Sequence, residues 1–133
     1  MNIQSIFNAA YCGIVAQGGP AFRLDPDGER RCLYRDKKRN RKCAAGHILP
    51  NRSYRKKYET QSAEQIRWFK DNLTEFEMAF LGGIQDAHDN AVHRATDGRV
   101  RADDVDQVFL KIWKADMVNF ADGHQILIPC CET

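Results

Sequence analysis

The sequence predicts an α+β fold: a mainly helical single domain over residues 1–133, with one small antiparallel β-hairpin. Three observations predict it. Apolar residues recur at helical spacing near the N-terminus and in two long stretches of the second half. Each of two segments in that half opens on a Ser/Thr-x-x-Glu/Gln capping box. Between the halves, two short strand-like runs flank a polar, basic turn.

The first helix is read from Ile3, Ile6, Phe7, Ala10 and Ile14, which form one stripe; Gly18-Gly19-Pro20 ends it. "RLDPDGERR" contains Pro26-Asp27-Gly28 and reads as a turn. "RCLYR" and "RKCAA" flank "DKKRN", which gives the expected hairpin, with a five-residue tip whose charges must meet solvent or a partner. Pro50 limits any helix after Cys43 to a turn or so, and Tyr54 and Tyr58 are expected to pack back on the core. Ser62 with Gln65 opens "AEQIRWFKDNL"; Thr74 with Glu77 opens "EFEMAFLGGIQDAHDNAVHR". In the latter, Phe76, Ala79, Phe80, Gly83, Ile84, Ala87 and Ala91 are expected to face inward. Gly82-Gly83 weakens a helix by roughly 1 kcal/mol per glycine, so another element is expected to approach closely there. A last helix starts at Asp103 or Asp104, with Val105, Val108, Phe109, Ile112, Trp113, Met117 and Phe120 inward. "QILIP" is expected as a final strand or an extended tail.

Length suffices for one core and not for two. No apolar run approaches the roughly 20 residues that span a bilayer, so no membrane partner is expected. The N-terminal stretch lacks a basic leader, so a secretory signal is not expected and the expected location is cytoplasmic. Five cysteines, an odd number, then argue for free thiols rather than a disulfide framework.

Charge is strongly segregated. Twelve of the twenty lysines and arginines lie between Arg30 and Lys57 with one acid, Asp36, so that stretch carries +11 and the rest of the chain −9. Such a dipole suits an anionic partner, nucleic acid or acidic protein. The expected contacts are Arg35, Lys37, Lys38, Arg39, Arg41, Lys42, Arg52, Arg55, Lys56 and Lys57. The competing reading is a solvated segment facing the acidic helices of its own domain. Aromatic residues are sparse there, so base-specific readout is not expected.

Three side-chain sets invite chemistry. Cys32, Cys43 and His47 have C-x10-C-x3-H spacing, and a structural zinc is the one candidate cofactor. The short knuckle of zinc sites is missing, which favours a reduced cross-strand pair of thiols. Cys43 falls where a strand gives way to a helical turn, whose amides can activate a thiol. His88 is then the candidate base and Asp89 its orienter. As neighbours on one helix, those two are expected to point apart. "HRATDGRVRADD" imitates a calcium loop, but Ala95 has no ligating oxygen where one is needed.

Cys32, Tyr34 and Arg35, followed by Lys42, Cys43, Ala44, Gly46, Pro50 and Tyr54, resemble a family of small uncharacterised phage and bacterial proteins with C-x-Y-R, a turn, and K-C-A-x-G-x-L-I-P. "IQDAHD", Ile84–Asp89, is similar to that family's later helix. Ile48-Leu49 inverts the family's Leu-Ile, Asn51 replaces an aspartate, and the basic tip is longer. The resemblance implies a phage or prophage origin and carries no activity. The expected function is a non-enzymatic binding protein that acts on a host component, a defence system being one such target, through the basic hairpin. The alternative is a small cysteine-dependent hydrolase or transferase built on Cys43 and a histidine.

Overall fold

A computed structural model describes residues 1–131. Helix α1 spans Ile3–Gln17. The strands β1, Phe22–Leu24, and β2, Arg30–Cys32, pair antiparallel, with Arg23 opposite Arg31. Helix α2 is short, Ala44–Ile48. Three 3-10 turns follow, over Asn51–Ser53, Lys56–Thr60 and Ala63–Gln65. The chain then forms α3, Arg67–Asn72, α4, Glu75–Ala95, a 3-10 turn over Ala102–Asp104, and α5, Val105–Gly123. The mainly helical α+β domain is as expected.

The core is built where α4 packs along α5 and α1 packs on α2 and α4. Its largest fully buried side chains include Trp113, Phe7, Phe69, Phe109, Ile6 and Ile14. Asn2 caps α1 by accepting from the Ser5 N–H at 2.8 Å. The Thr74–Glu77 capping box closes as expected, with bonds of 2.9 and 3.1 Å. The Ser62–Gln65 box is also present, but it opens only a 3-10 turn. Ile66 is extended, and α3 starts after it.

Five expectations are corrected. The hairpin lies one turn earlier in the chain: its strands flank Pro26-Asp27-Gly28, where Gly28 sits at φ +87°. "DKKRN" is a separate loop, closed by the Asp36–Arg41 bridge with bonds of 2.8 and 3.0 Å. "RKCAA" is no strand, because Cys43 is already the N-cap of α2. In α4 the buried face is Glu77, Phe80, Leu81, Ile84, His88, Ala91, Val92 and Ala95, so Phe76 and Ala79 fall on the solvent side. Cys12 and Cys131 form a disulfide, so the thiols are not all free. "QILIP" is an extended tail, tied to α1 where Gln4 donates to the Leu127 carbonyl and accepts from its N–H.

Candidate functional site

Two surfaces collect the chemistry-bearing side chains. The first surrounds Cys32, at the end of β2. The Cys43 N–H donates to the Leu33 carbonyl at 3.0 Å, which brings the N-terminus of α2 back beside β2. Cys43 is fully buried there, near enough to Cys32 to raise the Cys32 thiol. The expected neighbourhood of the two thiols is therefore present, through a different hairpin.

Helix α4 supplies the rest. Gln85 and Asp89 are one turn apart, and the Gln85 amide donates both to the Cys32 sulfur at 3.0 Å and to Asp89 Oδ1 at 2.8 Å. Its carbonyl oxygen accepts from the Ala45 N–H at 2.9 Å, so one side chain ties α4 to α2 and β2. His88 Nδ1 lies 3.0 Å from the same Asp89 oxygen. The two neighbours do not point apart, because the short aspartate folds back onto the adjoining ring. The His88 ring is wholly buried, edge-on to Phe109 and Trp113, and its Nε2 has no partner.

His47 does not join this set. Its ring lies against Gly13, and Nε2 pairs with Gln17 Oε1 at 2.9 Å. Burial, aided by the charges of Lys42 and Arg35, pushes its imidazole down to about 4. The expected zinc ligands Cys32, Cys43 and His47 are therefore split.

Cys32, Gln85 and Asp89 lie at a cleft of about 400 Å³, within the usual range for ligand pockets. Glu59, Glu64, Asp86 and Asp89 line it against one cation, Arg31, so the cleft is acidic. Glu59 is a fixed part of the wall: it accepts from the N–H groups of Tyr34 and Arg35 and from the Tyr54 hydroxyl at 2.6 Å. Burial and that bond push the Tyr54 phenol up to about 12. The Cys32 thiol is pushed well up, first by the neighbouring Cys43, then by burial and by the charges of Asp89 and Glu59. These surroundings favour the neutral thiol over an activated thiolate.

The second surface is basic. Of the ten expected contact residues, three are engaged inside the fold. Arg35 donates to the carbonyls of Tyr34, Gly46 and Leu49 and to Asn51 Oδ1, and it stacks over the Tyr54 ring, clamping the end of α2. Arg41 forms a bidentate pair with Asp106 of α5, both bonds 2.8 Å. The Lys42 backbone pairs with Gln17, and its ammonium is half-buried. Lys37, Lys38, Arg52, Arg55, Lys56 and Lys57 are exposed and form no ion pair among the described residues, and Arg39 lies over the Phe22 ring while pairing loosely with Asp36.

A groove of about 570 Å³ runs between the hairpin and the "DKKRN" loop, with Arg23, Arg30, Lys38 and Arg39 around Phe22, Leu24 and Leu33, and one acid, Asp36. The sequence pattern left out Arg23 and Arg30, since neither β1 nor the start of β2 was recognised as strand. Gln85 was missed as well; its signal was the four-residue spacing to Asp89 on a helix.

Comparison with protein-family models, curated proteins and solved structures finds no match to this chain. No helix among the described residues is long and apolar enough to cross a membrane.

Proposed function

We propose that the protein is a non-enzymatic binding module that holds an anionic partner in the groove between its hairpin and its basic loop. The observation that carries this reading is the lining of that groove: four cationic side chains against one carboxylate, around an apolar floor. Arg23 pairs with Asp25 at 2.9 Å and Arg39 loosely with Asp36, whereas Lys38 has no counter-ion among the described residues and Arg30 is held by the Thr96 hydroxyl and carbonyl rather than by an acid. Cations held in a concave, partly apolar wall attract anions more strongly than the same charges on a convex surface. The exposed Leu24, at 62 % of its full accessibility, adds an apolar contact at the rim.

The resemblance described above suggests a phage or prophage setting, in which the partner is a host component and inhibition of a defence system is one role. That part of the proposal rests on the resemblance alone. A cysteine-dependent hydrolase or transferase is less well supported. Its best nucleophile is Cys32 rather than Cys43, and the groups around Cys32 favour the neutral thiol.

The test is retention of partners from a bacterial lysate on immobilised protein, with and without nuclease, for the parent and for an Arg23→Ser, Lys38→Ser, Arg39→Ser variant. The expected result is loss of the captured partner in the variant and a weaker salt dependence of binding. Capture that is unchanged in the triple variant overturns the proposal. Sensitivity to nuclease assigns the partner to nucleic acid, and insensitivity assigns it to an acidic protein.

A further inference from the structure

We propose that Cys32, His88 and Asp89 supply three ligands of a zinc site at the inner end of the acidic cleft. This goes beyond the binding groove and does not depend on it. The Cys32 sulfur, a ring nitrogen of His88 and a carboxylate oxygen of Asp89 all lie within 4.8 Å of one another. With bonds of about 2.0–2.3 Å, ligand atoms around a tetrahedral zinc stand roughly 3.3–3.8 Å apart.

The rival account is a core histidine whose one acceptor is Asp89. It explains the burial of His88 and its aromatic neighbours. It leaves unexplained why a thiol, an imidazole and a carboxylate from two separate elements converge at the cleft. No lysine or arginine side chain hydrogen-bonds to Cys32, Asp89 or Glu59 among the described residues. Thiolates and carboxylates gathered without a cation repel one another. A divalent ion bound in place of the thiol proton reverses the sign of each of those interactions.

The chemistry of the donors selects the metal. Thiolate and imidazole favour zinc over magnesium and calcium, which take oxygen ligands. Gln85 supplies the supporting contact such sites require, since its amide already orients both the Cys32 sulfur and the Asp89 carboxylate. Access is provided as well. Cys32 and Asp89 line the large cleft and also a second cavity of about 130 Å³ on the side of Phe22, Arg30, Val92 and His93.

The experiment is metal analysis of reduced protein purified without chelator, followed by titration with zinc and with cobalt. The expected result is one equivalent of zinc per chain, and a cobalt form with a thiolate charge-transfer band and the visible bands of tetrahedral cobalt. Cys32→Ser and Asp89→Asn should abolish the charge-transfer band or weaken binding strongly. Gln85→Ala should weaken binding by roughly 10–100-fold. His47→Gln and Cys130→Ser should change nothing. Substituting the buried His88 mixes folding with ligation, so the half-exposed Asp89 carries the test. A reduced, folded parent that takes up no zinc overturns the proposal, and so does stoichiometric binding that survives both Cys32→Ser and Asp89→Asn.

Discussion

Gly82 and Gly83 are neighbours in α4 with opposite surroundings. A Cβ on Gly83 would stand 2.8 Å from the ring of Phe120, while nothing lies within 4 Å of one on Gly82. The sequence flagged the pair for close approach, and which of the two is approached depends on the rotation of α4, which the apolar pattern misjudged. Gly82→Ala should therefore stabilise the protein by up to about 1 kcal/mol, the helix-propensity gain. Gly83→Ala should lower the midpoint of chemical denaturation, because the Phe120 ring must shift. Equal responses in denaturation curves would show that Phe120 does not constrain the site. His47 gives a second test at this scale. Its folded-state value of about 4 lies below the ordinary 6.5, so the unfolded chain binds the proton more readily. Its contribution is complete above about pH 6.5 and is lost as the pH falls towards 4. The size is on the order of 1–3 kcal/mol once partial exposure is allowed for. Stability measured against pH should slope upward through that window, and His47→Gln should flatten the slope. Nothing in the sequence near His47 foretold this, since Gly13 and Gln17 reach it from another helix.

At the scale of elements, the two long helices of the second half were legible and the hairpin was not. Thr74 and Glu77 fixed the start of α4, and the stripe of Phe109, Trp113 and Met117 fixed the buried side of α5. Trp113 is fully buried, stacked with Phe109 at 6.2 Å between ring centroids. Trp113→Ala should cost roughly 3–5 kcal/mol, like other aromatic truncations in cores. Phe76, 65 % exposed, should cost well under about 1 kcal/mol when truncated, as surface changes do. Thermal melts of the two variants separate the buried face from the solvent face directly. The strands have only three residues each, too few for a period-2 pattern, and their charged sequence hid them behind the turn. Charge misled in the same way at Arg35. A side chain counted as free for a partner instead holds the last carbonyls of a five-residue helix. Arg35→Lys keeps the charge but loses the planar fork, and should destabilise by about 1–3 kcal/mol. If Arg35→Lys melts with the parent, the clamp carries no stability.

Across the whole molecule, the fold class was readable because three amphipathic stripes must be buried together in so short a chain. The candidate site around Cys32 was only half readable. Cys32, Cys43, His88 and Asp89 were each visible as reactive types, but the bond that gathers them runs through Gln85, which carries no reactive signal. The disulfide escaped because its partners are 119 residues apart and no pattern links them. Closing a loop of that length removes unfolded-chain entropy worth about 5 kcal/mol in the loop-closure picture. Reduction, or Cys12→Ala, should accordingly lower the melting temperature clearly, and coincident melts with and without reductant would show the bond to be energetically idle. The bond also makes the chain between Cys12 and Cys131 a covalent ring. A protease that cuts once within that ring, at the exposed Lys37-Lys38 for instance, produces no separate fragments. The nicked protein keeps the mass of the intact one, apart from one added water, and splits into two bands only after reductant is added. A single cleavage would therefore pass unnoticed on a non-reducing gel.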